Sequence, residues 1–203
     1  MTAAFYFDLA SPLAYLAAER ILHALPGPAE WRPVLAVELS TDAPAQGSRP
    51  VEAWRCEHER DAFREDIALH ARQLDLQPLR WPEPFPFDSS LAMLVATYAK
   101  SIGRTVPFAQ AAYRQAFAGG RDLQQLDNVL IAAAACEMHP AAVSRGAELS
   151  SVAAQLAATT GEAGELGIVE VPAIAVGADV FEGAHAVEQA AARMHELLTG
   201  AAR

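Results

Sequence analysis

The chain has 203 residues, enough for one large domain or two small ones and for a core that needs no disulfide or metal staple. Hydrophobic residues make up 52% and charged residues 20%, which is a globular composition and excludes intrinsic disorder. The formal net charge of −10 excludes nucleic acid or an anionic membrane as the main partner, but leaves room for a small local anion pocket.

In chain order, Ala3 to Leu9 is a short apolar run in which Phe5, Tyr6 and Phe7 favour a strand. Ser11 is a good N-cap, with Pro12 at the first helical position, where its missing N–H costs nothing. Leu13, Leu16, Ala17, Ile21 and Leu22 recur at helical spacing, which predicts a helix over 12–25, closed by Pro26-Gly27-Pro28. Trp31 to Val37 reads as a second strand, and Pro33 within it suggests an edge or a bend. Strand, helix, strand in this span is a parallel βαβ unit. Ser40 to Pro50 is a polar loop or boundary.

From Val51 to about Leu166 no strand is predicted. Residues 52–75 form a charged helix with Trp54, Ile67, Leu69 and Leu74 available for packing. Pro78, Pro82, Pro84 and Pro86 impose an extended connector. Asp88 or Ser89 caps a helix that ends near Gly103, and further helices follow at about 106–118, 123–135, 139–145 and 147–160. Gly161, Gly164 and Gly167 close the last of these. Ala173 to Val176, the turn Gly177-Ala178-Asp179 and the strand beginning at Val180-Phe181 make a β-hairpin. A final helix covers about Ala184 to Leu198.

The order βαβ, helical insert, ββα is that of an α/β thioredoxin-like fold with an all-helical insertion, the DsbA-like arrangement. The expected domains are 1–45 plus 165–203, thioredoxin-like and discontinuous, and 46–164, the helical insertion. Three stretches carry a closer resemblance. Phe-Tyr-Phe-Asp-Leu-Ala-Ser-Pro-Leu-Ala-Tyr-Leu-Ala at 5–17 resembles the opening of the 2-hydroxychromene-2-carboxylate isomerase and kappa-class glutathione transferase family. Trp81-Pro-Glu-Pro-Phe-Pro-Phe-Asp-Ser-Ser-Leu resembles that family's proline-rich segment, and Gly167-Ile-Val-Glu-Val-Pro-Ala-Ile with Val180-Phe-Glu-Gly resembles its Val-Pro strand and closing hairpin.

The resemblance implies a set of site residues. Ser11, on spacing alone only an N-cap, would sit beside the sulfur of bound glutathione or another low-molecular-weight thiol. A hydroxyl and helix N–H groups there would lower the thiol's pKa. The Val171-Pro172 bond would be cis, with the Val171 backbone free to pair with a peptide-like ligand. Gly183, Ala184 and His185 would begin a helix that binds a ligand carboxylate. The family has an acid where this chain has His185, and an imidazole cannot replace it as an ammonium partner. Glu182 stands where the family often has Trp, and Asp88 stands where it has Asn. Ser48-Arg49-Pro50 replaces an Asn-Lys-Pro contact, with Arg49 able to hold a carboxylate.

The implied activity is thiol-dependent isomerisation of a conjugated aromatic substrate, by reversible addition of the cofactor thiolate. The alternatives are a kappa-type glutathione transferase or a non-catalytic thioredoxin-like small-ligand binding protein. Positions 11–14 read Ser-Pro-Leu-Ala where a disulfide oxidoreductase carries Cys-x-x-Cys, so disulfide exchange at this turn is excluded. The family also suggests a homodimer.

Other features carry less. Cys56 and Cys136 form neither a disulfide framework nor a zinc spacing, and no metal site is expected. His58 and His70 lie too far apart on one helix to share an ion. Cys136 reads as a small core residue, His139-Pro140 as a helix boundary, and Trp31, Trp54 and Trp81 as packing residues. Trp81 and Phe85 could also line a pocket where the insert faces the βαβ unit. Asp8 either assists proton transfer or answers the helix N-terminus. No secretory signal and no apolar run of about 20 residues are present, so the expectation is a soluble, cytoplasmic protein.

Overall fold

The computed structural model describes residues 2–39 and 57–200. Its sheet is built from β1 (Ala3–Phe7), β2 (Ala29–Pro33), β3 (Ala173–Val176) and β4 (Asp179–Glu182), in the order β2-β1-β3-β4. β1 runs parallel to β2 and antiparallel to β3, and β4 closes the hairpin with β3. Side chains alternate between the two faces. Phe5, Phe7, Ile174 and Val176 enter one apolar cluster, and Tyr6, Ala173 and Ala175 enter another.

Helix α1 (Pro12–Ala24) crosses from β1 to β2 and packs beside α9 (Ala186–Gly200), which also lies against β3. The opposite face receives α2 (Ala36–Leu39) and α8 (Ser150–Glu165). Between β2 and β3 lie α3 (Glu57–Gln73), α4 (Ser90–Ser101), α5 (Thr105–Tyr113), α6 (Leu126–Ala134) and α7 (Pro140–Ala147). The larger cluster joins Phe5 and Phe7 of the sheet to Met93 of α4, Phe108 of α5 and Val129 of α6. The sheet and the helical block therefore share one core.

Several elements depart from the sequence expectation. The second strand spans Ala29–Pro33 rather than Trp31 to Val37, because the parallel register pairs Ala3 with Ala29 and Phe7 with Pro33. It is an edge strand, and Pro33 ends it. Val37 instead belongs to α2 and is exposed. Leu69 faces solvent, and Ile67 and Ala71 are the buried residues of α3. Trp54 lies outside the described residues.

α5 gives way at Arg114 to a wider π-turn, Arg114–Ala118, which the sequence did not announce and which buries Ala116 and Phe117. Gly161 and Gly164 do not close α8 but lie within it. Buried Leu156, Thr159, Thr160 and Ala163 offset their poor helix propensity. Gly167, at φ +79°, is the residue that turns the chain out. The final helix begins with a 3₁₀ turn at Gly183–His185 before α9.

α4 and α7 approach each other closely at Gly146. A Cβ at Gly146 would sit 2.5 Å from two ring carbons of Tyr98. Gly146→Ala is expected to destabilise the fold by about 1–3 kcal/mol through overpacking. That lowers Tm by roughly 3–10 °C in a thermal melt. An unchanged Tm would mean that the two helices can separate freely.

Candidate active site

The site forms where β1 turns into α1. The turn Asp8–Ser11 is held from three sides. Ser11 N–H donates to Asp8 O at 3.0 Å, Tyr113 Oη donates to the same oxygen at 3.0 Å, and Leu9 N–H contacts Met93 Sδ at 3.3 Å. Burial keeps the Tyr113 phenol far above its ordinary pKa, so it remains a donor.

Ser11 adopts extended backbone angles and caps α1, its Oγ accepting from Ala14 N–H at 3.2 Å. The same Oγ donates to Val171 O at 3.1 Å, across 160 residues of chain. Ser11 is 1% exposed and Val171 is fully buried. Pro12 is buried and contributes no donor to the first turn. Ala14 N–H goes to Ser11 Oγ and Tyr15 N–H to Ser11 O, so Leu13 carries the first-turn N–H that neither group serves.

The Val171-Pro172 peptide is cis. Pro172 O accepts from Gly183 N–H at 2.9 Å, which joins the cis-proline loop to the start of the last helix. Gly183 holds φ +77°, a conformation that suits glycine, and a Cβ there would lie 2.7 Å from Glu170 Oε1. Glu182 Oε1 accepts from Val169 N–H at 2.8 Å and Glu170 N–H at 2.9 Å, so it clamps the loop. The resemblance marks Glu182 only as a replacement for the family's Trp and does not predict this role. No local pattern marks it, because the two amides that Glu182 binds lie 13 and 12 residues away.

Asp8 does not answer the N-terminus of α1. Its Oδ1 accepts from Ala10 N–H and its Oδ2 from Ala36 N–H, both at 2.9 Å, and Ser89 donates a side-chain hydrogen bond to it. Burial pushes its carboxyl pKa up and outweighs these three bonds.

Of the expected site residues, Ser11, Pro12, Val171, Pro172 and Gly183 meet through this chain of contacts. Ala184 and His185 follow on the 3₁₀ turn, half-buried and exposed respectively. His185 faces His70 of α3, with ring centroids 6.3 Å apart, a pairing that the spacing of His58 and His70 does not predict. Asp88 accepts from Ser90 N–H at 2.8 Å and so starts α4. It is exposed, and its charge helps raise the pKa of Asp8. The Val171 carbonyl, expected to be open to a ligand, has Ser11 as its partner. Ser48 and Arg49 lie outside the described residues, as does Cys56. Cys136 is buried and its Sγ bonds to Ala132 O at 3.3 Å. Among the described residues no group of three or more His, Cys, Asp or Glu could hold a metal ion. No described helix is long and apolar enough to cross a membrane.

A parallel-antiparallel four-stranded sheet, a helix start facing a cis-proline loop, and a helical block inserted between the halves define a thioredoxin-like protein. The DSBA-like thioredoxin domain family matches residues 2–195, and the chain belongs to it. No curated protein matches the chain. A 2-hydroxychromene-2-carboxylate isomerase (HCCA isomerase) structure superposes with TM-score 0.85 at 16% identity, covering 100% of this chain and 98% of that one. A probable DsbA oxidoreductase from Streptomyces coelicolor gives 0.78 at 19% identity, covering 98% and 90%. The cytosolic disulfide reductase DsbM from Pseudomonas aeruginosa, with GSH, gives 0.67 at 14% identity, covering all of both chains. At such identities these likenesses establish the fold.

Proposed function

We propose that this protein is a thiol-cofactor-dependent isomerase of the 2-hydroxychromene-2-carboxylate isomerase type, using glutathione or an analogue. The observation that carries the reading is the buried Ser11 Oγ, placed at the first turn of α1 and hydrogen-bonded to Val171 O before cis-Pro172. The full-length likeness to HCCA isomerase supports it, and so does the binding of GSH by a relative of the same fold.

The helix N-terminus carries about half a positive charge, which stabilises an adjacent thiolate. When a thiol enters, the Ser11 hydroxyl swings its proton from Val171 O to the sulfur and donates a charge-assisted hydrogen bond. A bound thiol would supply, after losing its proton to solvent, a nucleophile that adds reversibly to the conjugated double bond of the ring-opened substrate, in which the ring C–O bond has broken and the hemiketal proton has passed to the phenol oxygen; its departure would restore the double bond in the rotated form. A kappa-type transferase would use the same thiolate and stop at a stable conjugate.

One observation favours a non-catalytic binding protein instead: Ser11 Oγ already donates to one partner and accepts from another. Disulfide exchange is not part of the proposal, since the helix start carries Ser-Pro-Leu-Ala and Cys136 is buried.

Incubating the protein with 2-hydroxychromene-2-carboxylate and following its absorbance, with and without glutathione, tests the reading. The expected result is at least about a hundredfold acceleration that requires the thiol. Acceleration without thiol, or none with it, overturns the proposal. An insulin-reduction assay in parallel is expected to stay at the uncatalysed rate.

A further inference from the structure

An aromatic cradle lies beside this site and plays no part in the chemistry above. Arg64 of α3 places its guanidinium carbon 5.3 Å from the ring centroid of Trp81 and 6.0 Å from that of Phe85. Those two rings meet at 4.8 Å and 60°. Phe117 of the π-turn stands edge-on behind both, at 6.1 and 6.2 Å. Phe117 also stacks on Tyr15 at 5.7 Å, and Tyr15 lies one helical turn after Ser11. Trp81 and Phe85 are half-buried, so part of the cradle is open.

The cation in this cradle is under-used. Arg64 Nε is buried and has no hydrogen-bond acceptor among the described residues. Its outer nitrogen is 3.6 Å from Glu83 Oε1, too far for a hydrogen bond, and Glu83 is 78% exposed. An exposed ion pair of this kind contributes little and is readily exchanged. A buried guanidinium N–H without an acceptor is costly, whereas the two outer nitrogens of Arg64, on a side chain 21% exposed, can donate together to a carboxylate. A planar apolar surface beside a forked cation therefore matches one ligand chemistry: a flat aromatic ring carrying a carboxylate.

The backbone connects the cradle to the site. The segment from Trp81 reaches Ser89, whose side chain bonds to Asp8, and Asp8 O receives Ser11 N–H. Phe85 and Asp88 are three residues apart, at most about 10 Å of chain.

We propose that Arg64, held on the faces of Trp81 and Phe85, is the specificity-determining residue that takes the carboxylate of a planar aromatic acid at this cradle. The assignment of the cradle as part of the place of reaction rests on the reading under Proposed function, whereas binding of the acid does not.

Isothermal titration without any thiol separates the two. The probes are cinnamate and methyl cinnamate, which share a ring and differ in charge. The wild type is expected to bind the acid at least about tenfold more tightly than the ester. Arg64→Met keeps the stem against Trp81 and is expected to remove most of that difference, leaving ester affinity unchanged. Equal affinity of the wild type for acid and ester overturns the proposal without need of any variant. So does an equal loss of both ligands in Arg64→Met, which would mark a packing role. Cinnamate binding with no isomerase activity would leave Arg64 in place and remove the isomerase reading, and the converse would do the reverse.

Discussion

Ser11→Ala is expected to reduce thiol-dependent isomerisation by about 10²- to 10³-fold, the loss seen when one preorganised donor to a developing anion is removed. The fold should survive. The substitution removes an N-cap, worth about 1 kcal/mol, and leaves Val171 O short of its donor in a buried position. The combined cost is roughly 2–4 kcal/mol, a fall in Tm of about 4–15 °C for a chain of this size. Activity and stability must therefore be measured on the same preparation. Ser11→Cys is the complementary test. A sulfur at this helix start is expected to titrate below the usual thiol value of about 8.5, read from thiolate ultraviolet absorbance against Ser11→Ala as the blank. If Ser11→Ala keeps wild-type activity, or the introduced thiol titrates at or above its ordinary value, the helix start does not stabilise a sulfur anion and the mechanism fails.

The second large effect is expected at Asp8. Its carboxylate satisfies Ala10 N–H, Ala36 N–H and the Ser89 side chain in a position only 3% exposed. Asp8→Ala strands these donors and should cost about 3–5 kcal/mol, a fall in Tm of roughly 10 °C or more. Asp8→Asn is milder, because one oxygen remains, but its amide presents a donor to a backbone donor.

The pH dependence follows from linkage. Asp8 is raised in the folded state above its ordinary value of 3.8. Above pH 3.8 the unfolded chain has lost the proton that the folded chain still holds. Stability from this group is thus full below that value and falls as pH rises through the folded pKa. The advantage of wild type over Asp8→Asn, measured by urea unfolding, should be largest near pH 4 and shrink toward neutrality. An advantage that grows with pH would mean that the three hydrogen bonds, not burial, control the carboxyl.

Local signals were legible where chemistry is local. Ser11-Pro12 announced the start of α1, because a short hydroxyl and a pre-set φ act within one turn. The apolar run with Phe5, Tyr6 and Phe7 announced β1, and the structure buries both of its faces. His139-Pro140 announced α7, and His139 Nδ1 indeed accepts from Ala141 N–H. The end of β2 was missed by several residues because its bounds follow from pairing with β1, a partner 26 positions away. Gly161 and Gly164 were misread because their cost to a helix is offset by packing of α8 against the sheet, which no local pattern reveals.

The sequence by itself determined the order of elements, the family resemblance and the lack of a thiol at the start of α1. These depend on residue types and short spacings. Only the tertiary structure decided that Ser11 Oγ meets Val171 O, that Glu182 clamps the loop before cis-Pro172, that His70 faces His185, and that Arg64 lies over Trp81. Each joins residues beyond the reach of any local pattern. A contact of that kind exists only after the sheet and helices have packed, because packing fixes which groups lose water and which partners replace it.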